Sequence, residues 1–115
     1  YICGTRGWML PDDDRFKSED MKVYKRELIR LELSLSGLPF PRSKKVIVML
    51  HYPPVYEKGK PSEFIEIMKK HNVDTCVYGH LHGENLKRVV EGQVEGINLY
   101  MVSCDYLGFK VKKIG

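Results

Sequence analysis

Residues 75–83 read Thr75-Cys76-Val77-Tyr78-Gly79-His80-Leu81-His82-Gly83, an apolar run that leads directly into two histidines bounded by glycines. The apolar run predicts a short buried strand. Two imidazoles separated by one residue at the end of a strand can direct their ring nitrogens into one small volume, and glycine permits close approach of the backbone. The pattern therefore indicates a metal site at the end of this strand.

A third histidine occupies a matching place in the chain. His51 follows the apolar run 46–50 and precedes two prolines, which stop further strand pairing. Both apolar runs are typical of buried strands in an α/β sheet, where ligands collect beyond the carboxyl ends of the strands. If the two strands are parallel neighbours, the three histidines His51, His80 and His82 converge. Neutral imidazole is a suitable ligand for zinc, iron or, in mixed sites, manganese.

The rest of the chain predicts one α/β domain over residues 1–115. Apolar side chains at helical spacing predict a helix over 19–35, capped by Ser18, in which the charged residues 22, 25–27 and 30 lie off the apolar face. A second helix is predicted over 61–71. Three β-rich segments then predict an antiparallel meander: 86–90, 94–102 and 109–114.

Charge and cysteine usage limit the partners and the compartment. The net charge is +4, but the basic residues are dispersed among acidic ones, which argues against nucleic acid as a partner. No apolar run approaches the ~20 residues that span a bilayer, so we expect no membrane segment. The acidic run 12–14 indicates a solvated turn. An odd number of cysteines without C-x-x-C spacing indicates small core residues in a reducing cytoplasm: Cys3, Cys76 and Cys104.

Two motifs carry a resemblance to a known family. Met49-Leu50-His51-Tyr52-Pro53-Pro54 followed by Gly79-His80-Leu81-His82-Gly83 resembles the carboxyl-terminal half of the calcineurin-like metallophosphoesterases, and residues 2–8 look like a segment of bacterial members. The resemblance covers essentially the whole chain. It implies the carboxyl-terminal half of a two-sheet αββα sandwich, a phosphoester substrate and two divalent ions, manganese, iron or zinc. By this resemblance His51 and His80 match ligands of the second metal, and His82 matches a ligand of the first.

The same resemblance leaves part of the site unaccounted for. The family's Asp-x-His, Gly-Asp and Asn-His elements precede the matched region and do not occur in this chain. We therefore expect the chain to begin inside a larger polypeptide or to have lost its true beginning. We also expect it to supply only the nitrogen ligands and to be a weak or inactive hydrolase by itself. Half of a sandwich also leaves apolar surface uncovered, which predicts self-association through a sheet edge or face. Asp105, after a strand, is a candidate to support a metal ligand.

Two other functions are open from the sequence alone. The three histidines could form a mononuclear zinc site with an open water position, which would make the protein a zinc hydrolase. The chain could also be a non-catalytic, truncated assembly module that pairs through an exposed sheet edge. The number of metal ions bound per chain separates these hypotheses. The sequence assigns no catalytic residues and no substrate-binding residues.

Overall fold

A mixed five-stranded sheet forms the centre of the molecule, seen in a computed structural model that describes residues 1–56 and 60–115. The strand order is β1-β2-β3-β5-β4. The first four strands in this order are parallel, and β4 is antiparallel to β5. The α/β class predicted from the sequence is confirmed. The strands are β1 (Ile2–Thr5), β2 (Ile47–Leu50), β3 (Thr75–Tyr78), β4 (Gly92–Val94) and β5 (Ile97–Met101).

Both predicted helices are present, and a short 3-10 helix is added to them. They are α1 (Ser18–Ser36), α2 (Glu63–Lys70) and the 3-10 helix (Gly83–Arg88). The first helix begins one residue earlier than predicted, because Lys17 rather than Ser18 is the cap. The Asp20 carboxylate accepts the Lys17 N–H at 2.8 Å, which satisfies the helix start. Within the described ranges, no helix is long and apolar enough to cross a bilayer.

The helices cover one face of the sheet. Register places one row of side chains across the four parallel strands, and this row is buried: Cys3, Val48, Cys76 and Leu99. It packs in one core with apolar residues of α1 and α2 such as Leu31 and Phe64. On the opposite face, Ile2 is 66% exposed and Met49 is 54% exposed. This face is therefore open to solvent along β1 and β2.

The predicted carboxyl-terminal meander is wrong in two of its three segments. Only β4 and β5 form an antiparallel hairpin, while residues 86–88 belong to the 3-10 helix and 109–114 form no strand. The N–H of Phe109 donates to the Cys104 carbonyl at 2.8 Å and closes a turn, with Phe109 at a φ of +58°. A further strand beside β5 has no edge to pair with, because β5 already lies between β3 and β4.

Two smaller predictions also fail. Cys3 and Cys76 are buried as predicted, but Cys104 is exposed because it lies in the turn after β5 rather than in a strand. The acidic run 12–14 is not wholly solvated, because Asp13 is only 7% exposed. Its carboxylate accepts hydrogen bonds from Arg15 and Arg88, which offset the cost of burying its charge.

Candidate metal centre

The carboxyl ends of β2 and β3 bring the two histidine segments side by side. The strands are parallel neighbours, with Ile47 opposite Thr75 and Met49 opposite Val77. Beyond the last paired residues, the N–H of Gly79 donates to the His51 carbonyl at 3.1 Å. The hydrogen-bonded ladder thus continues into the histidines, and this fixes their separation along the edge of the sheet.

His51 and His80 form a close pair, which we call the histidine pair. His51 Nε2 lies 3.2 Å from His80 Nδ1, and the two ring planes are inclined by 74°. His80 has a φ of +70°, and the N–H of Leu81 donates to the Gly79 carbonyl at 2.8 Å, so His80 is the centre of a γ-turn. A non-glycine residue in this conformation is strained, and such strain concentrates at functional sites.

The separation of these two nitrogens fits a shared metal ion. Two ligand nitrogens about 2.05 Å from one metal lie about 3.3 Å apart in tetrahedral geometry and about 2.9 Å apart in octahedral geometry. The observed 3.2 Å falls between these values. Burial lowers the pKa of His80, which favours its neutral imidazole. Neutral imidazole is the form that binds a metal.

His82 lies apart from the histidine pair and contacts a carboxylate. Its Nδ1 is 2.8 Å from Asp105 Oδ1, and the other oxygen of Asp105 accepts the Gly83 N–H at 2.9 Å. These hydrogen bonds, the Gly83 one foremost, lower the pKa of Asp105. A carboxylate at Nδ1 fixes the orientation of the His82 ring and leaves Nε2 available for a metal. Metal-bound histidines commonly have such a carboxylate partner on their other ring nitrogen. The structure thus places Asp105 in contact with His82, and its support of a metal ligand stays a prediction.

The three histidines do not form a single three-ligand group. In residues 1–56 and 60–115, the group of three ligand-type side chains with all ligand atoms within 4.8 Å of one another consists of His82, Cys104 and Asp105. A mononuclear site made of His51, His80 and His82 is therefore not formed by the side chains as they lie. Sequence reasoning missed Cys104 as a candidate ligand, although its place next to Asp105 was a usable signal.

Aromatic rings extend from the histidine pair toward β1. Tyr52 packs on His80 with ring centroids 4.2 Å apart, and Trp8 packs on Tyr52 at 5.1 Å. The carbonyl of Arg6 accepts the N–H of His51 at 3.0 Å and the N–H of Tyr52 at 2.9 Å. The loop after β1 is thus attached directly to the histidine segment. The fourth histidine, His71, lies at the end of α2 and pairs with Glu32 instead.

Comparison of this chain with protein-family models, with curated proteins and with solved structures found no match. The fold defines an α/β protein with a mixed sheet, and the geometry defines a histidine-rich candidate metal centre at the carboxyl edge of that sheet. The metallophosphoesterase resemblance therefore stays a prediction from the quoted motifs.

Proposed function

We propose that this chain supplies the histidine ligands of a two-metal phosphoester hydrolase. In this proposal His51 and His80 hold one divalent ion, and His82 faces the other. The observation that carries the proposal is the 3.2 Å separation of His51 Nε2 and His80 Nδ1 at the ends of two neighbouring parallel strands. The spacing of these two ring nitrogens and the strained turn at His80 both support a shared ion.

The metal ions would supply the chemistry, and the residues would hold and orient them. Two manganese, iron or zinc ions activate water and stabilise the charge of a transferring phosphoryl group. Asp105 holds the ring of His82 by its Nδ1, and Tyr52 packs against His80 and limits its movement. Two cations about 4 Å apart repel, so carboxylate ligands are also required. In this proposal the oxygen ligands come from the family's Asp-x-His, Gly-Asp and Asn-His elements, which do not occur in residues 1–115.

We also propose that this sheet is one half of a two-sheet αββα sandwich. The open face of the sheet, which exposes Ile2 and Met49, would pack against the second sheet of an αββα sandwich. In the absence of that sheet the same face favours self-association, since exposed apolar patches of this kind are a common basis of protein interfaces. Sedimentation at several concentrations tests this: a single monomeric species at all concentrations contradicts it.

Metal titration tests the centre. We expect metal-free protein to bind Mn²⁺ or Zn²⁺ in isothermal titration calorimetry, and His51→Ala and His80→Ala each to weaken binding by at least about tenfold. His71→Ala is the matched control, because His71 is a half-buried histidine paired with Glu32. Equal binding by the wild type and both variants at the histidine pair would overturn the proposed centre.

Phosphate binding tests the reaction class. Loading with Mn²⁺ should create phosphate binding that His51→Ala and His80→Ala weaken and that a chelator removes, because the bound ions hold the phosphoryl oxygens at this centre. Hydrolysis of p-nitrophenyl phosphate with added Mn²⁺ should be weak or absent. Equal phosphate binding with and without Mn²⁺ would contradict the phosphoesterase proposal. Rapid turnover that is lost in His82→Ala would contradict the expected weak hydrolysis.

A second candidate is a mononuclear zinc site made of His82, Cys104 and Asp105. It is favoured by the mutual proximity of these three ligand atoms and by the exposure of Cys104. Imidazole, thiolate and carboxylate are all zinc ligands. Cys104→Ser separates the two candidates: it should abolish zinc binding at the second site and leave binding at the histidine pair unchanged.

A further inference from the structure

A buried carboxylate of α1, that of Glu27, lies beside the carboxyl end of β1, which is an edge strand of the sheet. The sequence pattern places Glu27 among the charged residues off the apolar face, and this prediction is wrong, because Glu27 is 0% exposed. Residues 24, 27, 28 and 31 lie on one face of a helix, so Glu27 shares the side that packs against the sheet. Thr5, the last residue of β1, donates its hydroxyl to Glu27 Oε1 at 2.9 Å.

Three arginines converge on this one carboxylate. Arg30 Nη1 lies 2.9 Å from Glu27 Oε2, and Arg26 Nε lies 3.5 Å from the same oxygen. Arg6 Nε lies 3.9 Å from Oε1. Burial opposes ionisation of Glu27, yet the hydrogen bonds from Thr5 and Arg30 outweigh burial and lower the pKa of this carboxyl. Glu27 is therefore an anion that holds three guanidinium groups together.

The charges of this cluster do not balance. One guanidinium neutralises one carboxylate, so the three arginines and Glu27 together carry a charge of +2. The side chains of Arg6, Arg26 and Arg30 are 46%, 49% and 55% exposed, whereas that of Glu27 is 0% exposed. Each guanidinium has five N–H donors, and Glu27 uses only a part of them. The unused donors thus belong to side chains that are about half exposed to solvent and that share one buried anion.

We propose that Arg6, Arg26 and Arg30, the arginine surface, bind a compact phosphoanion such as inorganic phosphate, diphosphate or a phosphomonoester group. Guanidinium forks match the oxygens of phosphate in pairs, and the excess positive charge supplies the attraction. The cluster is small, since all three arginines lie within 4.0 Å of one carboxylate. Its extent suits one or two phosphate groups rather than the row of phosphates along a nucleic-acid strand.

The arginine surface adjoins the candidate metal centre but does not depend on it. The Arg6 carbonyl accepts the N–H groups of His51 and Tyr52, so its side chain begins beside the histidine segment. Since the arginines and not a metal provide the attraction, phosphoanion binding should persist in a chelator, and this separates a failure here from a failure of the metal centre.

Tryptophan fluorescence gives a direct readout. Trp8 is the single tryptophan of the chain, and the guanidinium carbon of Arg6 lies 4.7 Å from the centroid of its ring. Titration of the protein with inorganic phosphate or diphosphate, in EDTA and at low ionic strength, should change this fluorescence with saturation. Calorimetry of the same titration should give the same affinity, and added salt should weaken it.

Variants on α1 test the assignment. We expect Arg26→Gln and Arg30→Gln each to weaken diphosphate binding by at least about tenfold, because each removes a charged fork. Lys25→Gln is the matched control: it removes the same charge from an exposed site on the same helix, and binding should change by about twofold or less. Because Arg30 is the arginine nearest to Glu27, Arg30→Lys is a second variant, which keeps the charge but removes the fork and should still weaken binding.

Three results would overturn the proposal. The first is the absence of a saturable signal with either anion. The second is equal weakening by Lys25→Gln and Arg26→Gln, which would show a general charge effect and no site. The third is much tighter binding of a thymidylate oligonucleotide than of diphosphate, which would show an extended nucleic-acid surface and no compact anion site.

Discussion

Asp13→Asn is the substitution whose effect the structure defines best. The side chain of Asp13 is only 3% exposed, and its carboxylate accepts the Arg15 N–H at 2.9 Å and the Arg15 Nη2 at 3.1 Å. Arg88 approaches the same carboxylate at 3.3 Å. Burial by itself would raise the pKa of Asp13, but the hydrogen bonds and charges of the two arginines outweigh it and lower the pKa from 3.8 to about 2.

The size and the sign of the effect follow from this shift. A carboxyl whose pKa is lower in the folded state than in the unfolded state stabilises the fold above the unfolded value, and the stabilisation is lost as pH falls toward the folded value. A change from 3.8 to about 2 corresponds to about 2 kcal/mol in the free energy of unfolding at neutral pH. About half of this remains near pH 3, and little remains near pH 2.

Urea denaturation followed by circular dichroism measures this contribution. We expect Asp13→Asn to lower the free energy of unfolding by about 2 kcal/mol near pH 7 and by about half as much near pH 3. Asp14→Asn, a neighbouring substitution at an exposed residue, should change it by less than about 0.5 kcal/mol at either pH. Equal losses in the two variants, or a loss for Asp13→Asn that does not shrink in acid, would refute the reasoning.

Three further predictions concern packing and thiol chemistry. A methyl group at Gly4 would overlap a main-chain carbonyl oxygen of β2, so Gly4→Ala should lower the midpoint of thermal unfolding clearly, and an unchanged midpoint would contradict this packing. The buried hydroxyl of Tyr78 donates to the Val90 carbonyl at 2.7 Å and accepts the Val90 N–H at 2.9 Å. Tyr78→Phe should therefore cost about 2 kcal/mol in urea denaturation, and a cost near zero would mean that water replaces the hydroxyl. Iodoacetamide should alkylate Cys104 in the native protein, whereas Cys76, whose thiol pKa is raised by burial, should react only on unfolding, as mass spectrometry of the labelled peptides will show.

The sequence predicts the elements that place the histidine pair. The apolar runs before His51 and Gly79 are continuous because β2 and β3 lie inside a parallel sheet, and such strands are recognisable without alternation. The meeting of the two strand ends follows from their parallel pairing. The contact of Asp105 with His82 depends on the path of the turn after β5, which local composition does not determine.

Long-range pairing explains the errors. The segment 109–114 has the composition of a strand, but pairing depends on a free neighbouring edge, and β5 has none. Glu27 has the composition of a surface position, but its hydroxyl partner Thr5 and its arginine partner Arg6 are about twenty residues away in sequence. No window of the sequence that covers only α1 contains those partners.

Arg6 performs two tasks with two different parts of the same residue. Its guanidinium contacts Glu27 and Trp8, while its main-chain carbonyl accepts hydrogen bonds from the N–H groups of His51 and Tyr52. Any replacement at position 6 changes the side chain and retains the main-chain carbonyl. Substitutions at position 6 can therefore change the charge at this edge of the sheet and keep the hydrogen bonds to the main chain of the histidine segment.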